Sequence, residues 1–191
     1  KVTAERDHCA LGLGMRSKTA SGPTEVTLGG WTDGTCGWGS LEQFVGVAVA
    51  PRHDDGSLAM EGLQWRDVPA KGTDSATVSI PTGRWEAMVF YTMRSIHPSP
   101  LRMGNGGTID YLSPEPTRRF MELTHEEYAR RFGDDFGDLI PSIFYDESIP
   151  RASGPFTWTA EFAGQFRRRK GYDLLERLPL LFFDGGELTE K

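Results

Sequence analysis

The stretch Ile140-Pro141-Ser142-Ile143-Phe144-Tyr145-Asp146-Glu147-Ser148 is apolar almost throughout and ends in two adjacent carboxylates. Apolar side chains at successive positions read as a strand covered on both faces, the pattern of a parallel sheet. On this reading "LIPSIFYDE", residues 139–147, is a buried strand. Sites in parallel sheets form at the C-terminal ends of strands, and Asp146 and Glu147 hold that position. Side chains alternate along a strand, so the two acids point to opposite sides if the strand runs through both. One can then face a site while the other binds a backbone amide, an arginine or a metal. A carboxyl group beside Phe144 and Tyr145 would be desolvated, which raises its pKa and suits a general acid. The alternative is a strand whose terminal acids cap the following loop, and the residues alone leave both readings open.

The flanking sequence extends the pattern. "TIDYL" (108–112) reads as a short strand. "SPEP" then opens a helix, with Ser113 as N-cap, Pro114 at the first helical position and Glu115 at the positive helix end. Phe120, Leu123, Tyr128 and Phe132 form a rough apolar stripe, and Gly133 is the expected stop. A long loop (148–157) leads to a second helix, capped by Thr159, with Phe162 and Phe166 on its inner face and Gly171 at its end. "YDLLERLPLLF" is a third short helix broken near Pro179, with Asp173 as its cap. Strands alternating with helices predict an α/β fold, satisfied by a β/α barrel or by an open doubly wound sheet.

Upstream, residues 44–93 read as β-structure. "FVGVAVA" (44–50) is a strand, Asp55-Gly56 marks a turn, "ATVSI" (76–80) alternates, "PTG" turns, and "RWEAMVFYTM" (84–93) is another strand. Residues 1–43 are rich in Gly, Thr and Ser with weak periodicity. The chain thus divides into a Gly-rich segment or loop region at 1–43, an antiparallel β unit at 44–93, and alternating strand and helix over 94–191.

The totals narrow the function. The chain has 191 residues, 38% hydrophobic and 11% aromatic, enough for one domain with a core. Its net charge of −6 argues against nucleic acid or an anionic membrane as partner, since both require excess Lys and Arg. The basic run Arg167-Arg168-Arg169-Lys170 suits the C-terminus of a helix. "LGLGMRSKTASG" lacks the third glycine of a dinucleotide fingerprint. No Cys-x-x-Cys or Gly-x-Ser-x-Gly spacing occurs, which argues against a zinc site or a serine nucleophile.

Besides the two acids, Asp110 sits near a strand end and could orient a substrate hydroxyl or bind calcium, or simply cap a turn. Trp31, in "GGWTDGTCGWG", and Trp158, after the carboxylates, could stack on sugar rings or pack against the core. His125 reads as a partly buried surface histidine.

The blocks "TIDYLSPEPTRRFMELTHEEYARRFGDDFGDLIPSIFYDES" and "FTWTAEFAGQFRRRKGYDLLERLPLLF", in that order, resemble glycoside hydrolases of the family 106 α-L-rhamnosidase type. The resemblance covers about residues 84–183. It implies a catalytic (β/α)8 TIM barrel, with 1–43 and 94–191 as barrel segments and 44–93 as an inserted β unit. It also implies a carbohydrate substrate, hydrolysis of a glycosidic bond with inversion, often a calcium ion near the sugar, and a secreted or periplasmic setting. Carried over by position, Glu147 would be the acid candidate and Asp146 its supporting or metal-binding neighbour; Tyr145, Trp158, Asp110 and Trp31 are the substrate-contact candidates that the residues themselves offer. A full barrel takes roughly 250 residues, so the remaining strands and the catalytic base are expected from sequence outside this chain. The competing expectations are a non-catalytic carbohydrate-binding module, with Trp31, Trp38 and Trp158 as platforms, and a degenerate scaffold.

Overall fold

A computed structural model of the chain describes residues 9–29, 35–36, 39–68, 75–95, 109–144 and 155–186. Its core is one antiparallel sheet. The strands are β1 (Leu11–Gly29), β2 (Thr35–Cys36), β3 (Gly39–Pro51), β4 (Gln64–Arg66), β5 (Ser75–Ser95) and β6 (Phe156–Trp158). They run in the order β2-β3-β5-β1-β6, and β4 also pairs with β3. Every pairing between these strands is antiparallel.

This overturns the expected partial (β/α)8 barrel. The parallel reading rested on residues 139–147 and on the strand–helix alternation after 108, whereas the strands that form lie mainly in residues 11–95, which include the unit read as antiparallel. In "RWEAMVFYTM" the side chains alternate between two cores. Ala87, Val89, Tyr91 and Met93 join Val47, Val49 and Phe44 on one face. Met88 and Phe90 join Leu13, Ala48, Leu58, Trp158 and Leu178 on the other. A central antiparallel strand between two covered faces gives the same continuous apolar signal as a parallel one.

Residues 11–29, within the stretch of weak periodicity, form the long strand β1. It pairs with β5 along its whole length, from Leu11 opposite Arg94 to Gly29 opposite Ser75. The expected "PTG" turn at 81–83 lies inside β5, where the register shifts opposite Gly22. Gly83 takes φ +109, a conformation that glycine adopts without the Cβ penalty. Val26, Leu28, Val78 and Ile80, beyond this irregularity, share one core with Val47 and Val89. The long β1–β5 ribbon thus curves back over the sheet.

The "LIPSIFYDE" strand does not form over its described part. Ile140 makes one isolated bridge to Phe136, and residues 141–144 are irregular and exposed. Over its described residues, 109–112, "TIDYL" contributes a single bridge, Ile109 to Cys9, before the chain turns. Two helices follow, α1 (Pro114–Leu123) and α2 (His125–Phe132). Ser113 is the N-cap residue and Pro114 opens α1, although the Ser113 side chain makes no capping bond. Gly133 does not take the left-handed stop. Its φ is −58, and the chain continues as a 3-10 turn over Gly133–Asp135.

The C-terminal part follows expectation more closely. Helix α3 (Phe162–Lys170) ends at Gly171 with φ +81, and the Gly171 amide donates to the Arg167 carbonyl. The Leu175 amide donates to Asp173 Oδ1 at 2.9 Å, capping a 3-10 helix over Leu175–Leu181 that contains Pro179. This segment closes the second core face through Leu174, Leu178 and Phe182. Arg52 ties it to the sheet. Its guanidinium bonds Glu86 at 3.0 Å and lies 5.5 Å from the centre of the Phe183 ring. Glu86 is buried in β5 and also accepts a 2.6 Å bond from the Thr19 hydroxyl. No helix among the described residues is long and apolar enough to cross a membrane.

Candidate functional site

The groove beside Asp110 is assembled by a turn and a helix start. Asp110 is 5% exposed, and its Oδ1 accepts the Leu112 amide at 3.0 Å. The Asp110 carbonyl accepts the Ser113 amide at 3.2 Å. Aspartate favours such turns because its short side chain replaces a backbone acceptor. The turn swings the chain into α1, where Thr117 closes the first helical turn by donating its hydroxyl to the Ser113 carbonyl at 3.0 Å.

The result is an open groove of about 470 Å³. Tyr111, Leu112, Pro114 and Met121 give it an apolar wall, while Ser113, Thr117, Arg118 and Glu126 supply polar groups. Its size lies within the usual range for small-molecule sites, about 300–1,000 Å³. The Tyr111 ring is set edge-on against Phe120 at 6.1 Å, and Phe120 in turn meets His125 at 5.7 Å. His125 Nδ1 lies 2.9 Å from the Thr124 hydroxyl, on a half-buried residue, as the surface reading anticipated.

Charge in the groove is partly committed. Arg118 donates to both oxygens of Glu115, at 2.6 and 3.0 Å, and also to Glu122. The Glu115 hydrogen bonds, then its charge, hold the Arg118 guanidinium above its ordinary pKa. Among the described residues, Glu126 is the carboxylate that lines the groove. Hydrolysis of a glycosidic bond by the common route takes two carboxyl groups across the bond, about 5–9.5 Å apart depending on stereochemical outcome. The groove lining supplies binding surface and one acid.

The expected site residues divide into three groups. Asp146, Glu147, Tyr145, Trp31 and Trp38 lie outside the described residues. Asp110 precedes the groove residues in the chain without lining the groove, and its carboxylate serves the turn. Trp158 is buried in β6 and packs on Phe162 at 5.3 Å, which is the core-packing alternative raised for it. For calcium, no three His, Cys, Asp or Glu side chains gather into a set that could hold a metal ion among the described residues. Sequence reading missed Tyr111, Thr117, Arg118, Met121 and Glu126. A signal existed, because Pro114, Thr117, Arg118 and Met121 recur at spacings of three and four, which is one helix face.

The family model described as alpha-L-rhamnosidase matches residues 67–187, more than half of the chain. A curated protein of Formosa agariphila, provisionally named beta-glucuronidase, is 27% identical over 118 residues. That match covers 59% of this chain and 10% of the relative, so the chain spans about a tenth of the relative's length. No solved structure matches the chain significantly.

Proposed function

This chain belongs to the alpha-L-rhamnosidase family of glycoside hydrolases, family 106, and from that premise we propose that it contributes the general acid to an enzyme cleaving an α-L-rhamnoside. The observation that carries the reading is the family match across residues 67–187, which includes Asp146 and Glu147. Glu147 protonates the leaving oxygen, and Asp146 supports it by charge or hydrogen bonding. The base that activates water comes from polypeptide outside residues 1–191. The groove at Tyr111 and Glu126 offers an apolar wall with polar edges, a combination suited to a sugar.

The test uses the longest natural polypeptide that contains this chain and a panel of nitrophenyl glycosides, with the rhamnoside first. Glu147→Gln keeps the shape and removes the proton. Losing a general acid lowers turnover by about 10²–10⁴-fold. The variant is assayed on a rhamnoside with a sugar or alkyl leaving group, which needs protonation to depart, and unchanged turnover there would reject the assignment of Glu147. Sugar binding without turnover in the unmodified protein would favour a binding module instead. A second substrate, a β-glucuronide, is favoured by the name of the Formosa agariphila relative. The same panel separates the two, since the aglycone is constant and the sugar differs.

A further inference from the structure

Among the described residues, the exposed apolar side chains are concentrated in one segment. Nine large apolar side chains between Leu112 and Phe144 are exposed, against two elsewhere among the described residues, Tyr172 and Leu181. Phe144 is 86% exposed, Leu139 76%, Ile143 59% and Tyr128 58%. Helix α2 has no buried residue, and α1 has only Pro116. Scattered surface apolar residues need no explanation, but nine of them within 33 consecutive residues, with Tyr128 and Phe132 in ring contact, are more than scatter and suit an interaction surface.

The charges on the same helices point to the chemistry of what covers it. Arg118 pairs with Glu115 and Glu122, and Arg119 with Glu122. Arg130 and Arg131 both pair with Glu127. These cations are matched within their own helices, and the chain as a whole is acidic. The segment therefore lacks the unmatched basic surface that a nucleic acid or an anionic membrane would need. The surface left unsatisfied is apolar, and its complement is an apolar protein surface.

We infer that residues 112–144 form a docking face for further polypeptide of this same protein, lying outside residues 1–191. The length of the relative supports this choice of occupant, because the matched region is a tenth of a much longer chain. The local packing agrees. Helices α1 and α2 pack chiefly on each other rather than on the sheet, so they hold a formed surface ready for a third element. The inference rests on burial and on family membership, and is independent of the catalytic reading.

Hydroxyl-radical footprinting of the full natural polypeptide, read residue by residue by mass spectrometry, tests it. Phe90 serves as the buried reference and Tyr172 as the exposed one. The expected result is loss of labelling at Tyr128, Leu139 and Phe144 to the level of Phe90, unchanged on serial dilution. Labelling at the level of Tyr172 would overturn the inference. Protection that disappears on dilution would also overturn it, in favour of a second copy. A natural polypeptide with nothing beyond these residues would leave no occupant and sink it outright. None of these readouts involves turnover, so failure of the rhamnosidase reading leaves the result intact.

Discussion

Two regions of this molecule have similar apolar content and opposite fates. "RWEAMVFYTM" in β5 buries Phe90, Val89 and Met88 completely. "IPSIF", residues 140–144, leaves Ile143 and Phe144 open to solvent. β5 has a hydrogen-bonded neighbour on each side, β1 and β3. Residues 141–144 pair with no strand among the described residues. A strand is completed by its partners, since its hydrogen bonds leave the segment, whereas a helix satisfies most of its own. Apolar composition thus states a demand for burial without saying whether it is met.

Substitution can break that comparison. Phe90→Ala should cost about 4 kcal/mol, the usual range for removing a buried ring. Phe144→Ala, in the same chain, should change stability by about 0.5 kcal/mol or less. Urea unfolding followed by circular dichroism measures both. Equal effects would mean that residues 140–144 are packed in solution.

The next effect concerns the Arg52–Glu86 pair. Glu86→Ala would leave Arg52, whose Nε already has no partner, as an uncompensated and largely covered charge. Breaking such a pair costs about 3 kcal/mol. A double-mutant cycle with Arg52→Met should recover part of that loss. Full additivity would show that the two residues act independently.

A smaller contrast separates two helix ends. Gly171 has φ +81 and open space where a Cβ would project, so Gly171→Ala should cost about 1 kcal/mol from backbone strain alone. Gly133 has φ −58 and equally open space, so Gly133→Ala should stabilise by about 0.5 kcal/mol. Opposite signs in thermal unfolding would confirm that only the first end needs glycine.

The smallest effect is electrostatic. Hydrogen bonds from Arg130 and then Arg131 lower the Glu127 pKa from 4.5 to about 2. A value depressed in the folded state adds stability above the unfolded pKa and loses it as pH falls through the folded one. The contribution should therefore be intact above pH 4.5 and disappear toward pH 2. Glu127 is solvent-exposed and its pairs are screened, so the readout is the carboxyl chemical shift in an NMR titration. A midpoint near 4.5 would show that the pairs do not persist in solution.

Sequence signals are legible where the physics is local. Gly171 ends α3, Asp173 caps the following 3-10 helix, Pro114 opens α1, and Asp55-Gly56 turns with the Ser57 amide bonded to Asp55 Oδ1. Strand identity was legible where both faces carried apolar side chains, as in 44–50 and 84–93, or where they alternated strictly, as in 76–80. β1 escaped notice because its middle, Arg16–Glu25, is mostly exposed and carries small or polar residues. Its partner β5 imposes the extended state there. The groove was half legible. Asp110 marked its position, but the wall of Tyr111, Arg118 and Met121 became visible only once α1 set their shared face.

The sequence by itself determined the family, the Pro114 start of α1, the Gly171 stop of α3, and the apolar demand of each segment. The tertiary structure decided which demands were met. It made the sheet antiparallel, placed β5 between two cores, and left residues 112–144 largely uncovered. The reason is that backbone turns and caps are settled within a few residues, whereas strand pairing and burial depend on partners far away in the chain.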